Sequence, residues 1–303
     1  MDGAQIHQVD AAIRKNEKSI RDKAWLKRIC TVLLVVFSVI VPICVVLIAA
    51  QDSMIFYNTH DPESREFLQG REGYHEIQFT AGNGKTYNGM MYRANDEIAP
   101  LVIYFGGNAE VSYRNLRSRE THNQWQYFSG YHYLFVDYEG YGINAGQAHY
   151  LNMYEQALSV YDYAAALPFV DESRIVAMGY SLGTGSATYL AANRPVSGLM
   201  LATPYANGYD LYNNVLPIFY GPMRLLVKQK LPSENYAPSA SCPVLIIASV
   251  SDETIPYSSS ERLRALFPGD VDFMTLDDVS HNSIFQADGV FDRVQSFLAG
   301  VSK

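Results

Sequence analysis

Hydrophobic and polar positions change rhythm twice along this 303-residue chain. Residues 29–50, ICTVLLVVFSVIVPICVVLIAA, are an apolar run without a single charge. At about 1.5 Å rise per residue, such a run makes a helix long enough to cross the hydrocarbon core of a bilayer. None of its faces is polar, which argues against a helix packed in a soluble core. A cleaved leader is the alternative reading. Against it, the run is long, 28 residues precede it, and Leu47–Gln51 offers only a poor small-residue cleavage site.

Residues 51–73 read as an irregular linker, after which the pattern becomes alternation. The stretch "YHEIQFTAGNGKTYNGMMYR" predicts two strands joined through Gly82-Asn83-Gly84. Apolar runs at 101–105, 132–137, 174–179, 197–202, 243–250 and 271–276 then read as buried strands. Helical candidates lie between them, near 109–128, 150–167, 182–193, 258–267 and 283–299. In the second of these, Tyr154, Leu158, Tyr161 and Ala165 recur at helical spacing. A hairpin followed by alternating strand and helix predicts an α/β domain over 74–303, with a mostly parallel sheet covered on both faces. Residues 204–241 break the rhythm and are rich in Tyr, Leu, Pro and Asn. They predict a small cap, or else a satellite core for their aromatics.

Charge adds an orientation. Residues 1–28 hold seven Lys/Arg against four acidic residues, whereas the chain after residue 50 holds sixteen against twenty-seven. Positive charge next to the span predicts a cytoplasmic N-terminus and a domain on the other side of the membrane, with Trp25 at the interface. Residues 4–28 read as an amphipathic surface helix or a solvated basic leader. The net charge of −8 argues against nucleic acid as a partner. The absence of an N-x-[ST] acceptor in the sequence favours bacteria or a cytosol-facing domain over a glycosylating lumen, and a bacterial cell membrane is the expected setting. The three cysteines offer neither a disulfide framework nor a zinc site, and no metal or other cofactor is called for.

The chemistry concentrates at "AMGYSLGTGSATYL", where Gly179-Tyr180-Ser181-Leu182-Gly183 matches G-x-S-x-G between a strand and a helix of small residues. A serine hydroxyl needs a base to become a nucleophile. Seven histidines occur and His281 alone follows Ser181, so chain order makes it the sole candidate base. For the acid, Asp252 directly follows the apolar run VLIIASVS, at the carboxyl end of a strand. Asp277 and Asp278 are the alternatives. The developing oxyanion needs backbone donors: one from Leu182, the other from "YFGGNAE", where Gly106 and Gly107 permit close approach, Asn108 supplies the N–H, and Gly107 is counted with these two in the oxyanion hole.

These segments resemble the membrane-anchored α/β-hydrolases, the group that includes the mammalian depalmitoylating and lysophospholipid-hydrolysing members and bacterial relatives. The resemblance covers roughly residues 54–299. It rests on "MIFY", "YFGGNAE", "DYEGYGINAG", "GYSLGTGSATYLAANRPVSGLMLATP", "SVSDETIP" and "SHNS". It implies an α/β-hydrolase fold, with Ser181 as nucleophile, Asp252 as acid, His281 as base, and Asn108 and Leu182 as oxyanion donors. Two positions depart from the pattern: Gly106 stands for the usual His, and Ser280 for the usual Gly.

The expectation is therefore a membrane-tethered serine hydrolase of carboxylic esters or thioesters. A serine peptidase and a non-catalytic binding module are the alternatives. The substrate is expected to be lipid-like, its acyl chain lying against Tyr205, Tyr209, Tyr212, Leu216, Phe219 and Tyr220, with Arg224, Lys228 and Lys230 facing anionic headgroups. Oligomeric state is left open.

Overall fold

Burial follows the apolar runs of the sequence, and strand pairing gives the order of the sheet. In the computed structural model, which describes residues 3–122 and 124–301, β1 (Tyr74–Thr80) and β2 (Thr86–Tyr92) form the hairpin. Tyr74 lies opposite Tyr92 and Thr80 opposite Thr86. The free edge of β2 pairs antiparallel with β4 (His132–Val136). From β4 the sheet continues in parallel through β3 (Ala99–Phe105), β5 (Val170–Tyr180), β6 (Gly198–Ala202), β7 (Val244–Ser249) and β8 (Val271–Leu276). The order is β1-β2-β4-β3-β5-β6-β7-β8. Every residue of β3, β4, β6 and β7 is buried, as a strand covered on both faces requires. In β1, at the edge, the pattern is mixed.

The chain steps from β3 out to β4 and then back across to β5. The carboxyl ends of β3 and β5 therefore flank the point where the winding direction reverses, which is where open α/β sheets place their sites. Of the helices, α3 (Ser112–Thr121), α4 (Tyr150–Ala165), α5 (Gly183–Asn193), α7 (Tyr257–Arg264) and α8 (Val290–Val301) fall within or beside the expected segments. In α4 the apolar stripe runs through Met153, Tyr154, Ala157, Val160, Tyr161 and Ala164, which are buried. Leu158 and Ala165 lie at its margin.

The chain divides into two compact units, Met1–Ala50 and Gln51–Lys303. The first holds most of a single helix, α1 (Gly3–Ile55), with Pro42 inside it and an apolar stretch long enough to cross a membrane. The expected irregular linker at 51–73 is in fact structured. Residues 51–55 continue α1, and α2 (Pro62–Leu68) follows. The Asp61 side chain caps α2 by accepting from the Ser64 N–H at 3.0 Å, and Pro62 occupies the first turn. Gln51, Phe56 and Leu68 are buried, so this segment packs against its own domain. The insertion at 204–241 contains α6 (Gly208–Val215) and three short 3-10 turns. Tyr212, Phe219 and Val227 form a small apolar cluster of its own.

Beneath β4, the motif "DYEGYG" ties the sheet to α3. The Asp137 carboxylate accepts from the Ser112 N–H at 2.6 Å and the Ser112 hydroxyl at 3.1 Å. Gly142, at φ 55, approaches so closely that a Cβ there would meet Asp137 Oδ2 at 2.1 Å. Burial outweighs the two donors and pushes the Asp137 carboxyl up to about 7. Its folded value thus lies above its unfolded one. The stability it contributes is complete below about pH 4 and is lost as pH rises through 7. In Asp137→Asn this slope is removed, so the variant should gain on the parent between pH 4 and 7, by at most about 1.4 kcal/mol per pH unit. Thermal unfolding of both proteins across that window checks it. A constant difference between them would refute the assignment.

Candidate active site

Ser181 stands at the end of β5, where the chain turns sharply into α5. Its φ is 50°, a left-handed conformation that costs an L-residue energy and is held by its surroundings. The Ser181 N–H donates to the Ala202 carbonyl at 3.0 Å, and its carbonyl accepts from the Thr184 N–H and hydroxyl. Both flanking glycines are required by close approach. A Cβ at Gly183 would sit 2.0 Å from the Phe105 carbonyl oxygen, and one at Gly179 would sit 2.6 Å from the Thr184 Cα.

His281 reaches the same point from the loop after β8. Its Nε2 lies 2.8 Å from Ser181 Oγ, and its Nδ1 lies 2.8 and 3.0 Å from the Asp252 carboxylate oxygens. A carboxylate can only accept, so Nδ1 carries the proton and Nε2 of the neutral ring accepts from the serine hydroxyl. Asp252 also accepts the N–H groups of Thr254 and Ile255, each at 2.8 Å, which fixes the carboxylate against the turn after β7. The Asp252 and His281 side chains are 2% and 6% exposed, so the chain of bonds is shielded from water. Asp277 and Asp278 make no such bond to the imidazole. Asp278 sits instead at a positive φ in the turn before the histidine.

Asn108 and Leu182 line one pocket with Ser181. Among the described residues, their backbone N–H groups have no partner within the chain. The Asn108 side chain is held from behind, accepting from the Tyr141 hydroxyl at 2.8 Å and the Tyr57 N–H at 3.0 Å. Gly107, the third expected oxyanion residue, is not a free donor. Its N–H is taken by the Glu110 carboxylate at 2.7 Å. The departure at Gly106 has a steric cause, since a Cβ there would meet the Phe135 ring at 2.4 Å. Ser280 has φ −70°, which any residue adopts, so no glycine is needed there.

The pocket has a volume of about 140 Å³. Apart from the groups named above, its walls are Leu211, Tyr212 and Val215 from α6, Ile55 from the end of α1, and Thr254 and Ile255. The expected acyl wall is thus partly replaced. Tyr205 lies fully buried under the turn, donating to the Leu182 carbonyl at 3.0 Å. Phe219 packs inside the insertion against Tyr212 at 5.4 Å between rings. Tyr209 lies under the Arg224 guanidinium. Lys228 is engaged by Asp52, so it does not face outward as a free cation.

Three further side chains support the site and carried no sequence signal beyond adjacency. Glu110 anchors the loop after β3, accepting from the Tyr104 hydroxyl at 2.8 Å as well as from the Gly107 N–H. Glu253 accepts the His281 backbone N–H at 3.0 Å. Burial pushes the Tyr180 phenol far up, so it keeps its proton and donates to the His281 carbonyl at 3.2 Å. Among the described residues, no group of three His, Cys, Asp or Glu is placed to hold a metal ion.

No family model matches the chain. It is 31% identical over 202 residues to an uncharacterised protein of Mycobacterium tuberculosis, covering 66% of this chain and 69% of that protein. It is 27% identical over 180 residues to protein ABHD12B of Homo sapiens, covering 54% of this chain and 49% of the relative. Among solved structures, an esterase of Pyrococcus furiosus superposes with a TM-score of 0.63 at 17% identity, covering 81% of this chain and 96% of the esterase. Relatives at this identity and coverage, on a sheet of this order, make the chain a member of the α/β-hydrolase family.

Proposed function

We propose that the protein is a membrane-tethered serine hydrolase that cleaves carboxylic esters or thioesters of lipid-like acyl groups. The observation that carries this reading is the unbroken bond chain from Ser181 through His281 to Asp252 at the mouth of an apolar pocket. In the first half-reaction, Ser181 Oγ attacks the acyl carbonyl while His281 Nε2 takes the hydroxyl proton. Asp252 stabilises the imidazolium. The N–H groups of Asn108 and Leu182 receive the negative oxygen, the latter at the positive end of α5. The tetrahedral species expels the alcohol or thiol, which leaves with the proton from His281. Water, deprotonated by the same nitrogen, then releases the acid and restores the serine.

The tether reading is supported by the apolar stretch of α1. The charge asymmetry on its two sides favours a cytoplasmic N-terminus and an extracytoplasmic domain. Labelling of the purified full chain with a fluorophosphonate, followed by a chain-length panel of p-nitrophenyl esters against a peptide panel, tests the activity. Because Leu211 lines the pocket, Leu211→Trp should shift the preferred acyl chain toward shorter esters, with about tenfold loss of kcat/KM on the longest, at roughly 0.8 kcal/mol per excluded methylene. An unchanged chain-length profile would place the acyl group elsewhere. Hydrolysis confined to peptides would favour the peptidase reading.

A further inference from the structure

The insertion presents an apolar surface without an evident partner in its own domain. Val215, Tyr220 and Leu225 are 71%, 57% and 87% exposed, with Leu216 between them in the chain. Exposed apolar residues clustered in one segment mark an interaction site more often than a bare surface. The same segment is basic on an acidic domain. From Leu211 to Ser233 there are three bases and no acid, and of the bases Lys228 is paired with Asp52. Arg224 and Lys230 are exposed.

A clamp sets where this segment lies relative to the point at which the domain begins. The buried Gln51 side chain donates to the Leu226 carbonyl at 2.7 Å and accepts from the Lys228 N–H at 2.6 Å. Asp52 accepts from Gln229 Nε2 at 2.6 Å and pairs with the Lys228 ammonium. Gln51 directly follows the apolar run, so Leu225 is one residue from an atom bonded to the first residue past the span. Val215 belongs to both places, being exposed on the patch and part of the pocket wall beside Ser181.

We infer that the segment 215–225 docks into the lipid leaflet from which the span emerges, and that the pocket opens into that leaflet, so that an acyl ester enters sideways from the bilayer. This rests on the tethered-hydrolase reading above. The occupant is an anionic lipid surface: the apolar side chains suit the acyl boundary, and Arg224 and Lys230 suit the headgroups. A protein partner, including a second copy of the chain, lacks the argument from chain continuity.

The test uses the full chain in vesicles of phosphatidylcholine and phosphatidylglycerol. The added fluorescence of Leu225→Trp, relative to the parent, should fall at least twofold when the lipids carry brominated acyl chains. Ile98→Trp, at an exposed position just before the amino end of β3, should not respond. Leu225→Glu should lower hydrolysis of a vesicle-embedded long-chain ester at least tenfold while leaving kcat/KM for soluble p-nitrophenyl butyrate unchanged. If the parent floats with vesicles and hydrolyses ester, yet Leu225→Trp is unquenched, the docking is overturned and the enzyme reading stands. Self-crosslinking at this patch with no quenching overturns it equally. Quenching of Leu225→Trp alongside a parent that hydrolyses no ester removes the enzyme reading and supports the docking. A parent that does not float overturns tether and docking together.

Discussion

Ser181→Ala should lower kcat and kcat/KM together by a factor on the order of 10⁵ to 10⁶, with the folded protein unchanged. The serine is 8% exposed and its backbone is anchored by its own N–H and carbonyl, neither of which the substitution touches. What disappears is the one oxygen at 2.8 Å from His281 Nε2. His281→Ala should lose a comparable factor, because the members of such a unit do not contribute additively. Asp252→Asn should cost about 10⁴. The amide can keep accepting the Thr254 and Ile255 N–H groups through its oxygen, but its nitrogen then faces Nδ1 and forces the ring toward the wrong tautomer. Steady-state kinetics on a p-nitrophenyl ester decide the matter. Full hydrolysis by the Ser181→Ala protein would end the assignment.

Gly183→Ala should cost roughly 3 kcal/mol of stability, or prevent folding, because the new methyl group meets backbone and cannot rotate away. Its contacts are the Phe105 carbonyl oxygen at 2.0 Å and the Gly106 oxygen at 2.7 Å. At about 2–4 °C per kcal/mol for a domain of this size, Tm should drop by roughly 6–12 °C. Relief of the clash moves either α5 or the loop after β3, and that loop carries Asn108. Activity should therefore fall more than stability alone explains. Gly300→Ala is the control, since nothing lies within 4 Å of its Cβ position in the last turn of α8 and helix propensity predicts a gain of at most about 1 kcal/mol. Equal Tm values for the two variants would contradict the packing described here.

The parts of the site legible in the sequence are those set by chain order and by strand ends. Ser181 carries a motif, His281 is the sole histidine after it, and Asp252 closes an apolar run. The pocket wall was not legible in this way. In the irregular insertion no period says which aromatics point inward, so Tyr205, Tyr209 and Phe219 read alike as wall residues. Tyr205 is drawn under the turn by the Leu182 carbonyl, Phe219 into a small cluster, and Tyr209 beneath a guanidinium. Ile55 reaches the pocket from a segment read as linker, through a long-range contact that no local pattern announces. Gly107 illustrates another limit: its type and place suit an oxyanion donor, but Glu110, three residues on, takes its N–H.

The left-handed corner at Ser181 also bears on how such a chain ages in evolution. A glycine at φ 50 would relieve strain worth roughly 1–2 kcal/mol. Neutral drift, guided by stability alone, would therefore replace the serine. On the nucleophile reading, a lineage that keeps it carries a standing handicap that only continued selection for turnover maintains, so the residue at this single position would separate working descendants from fossil copies of the fold.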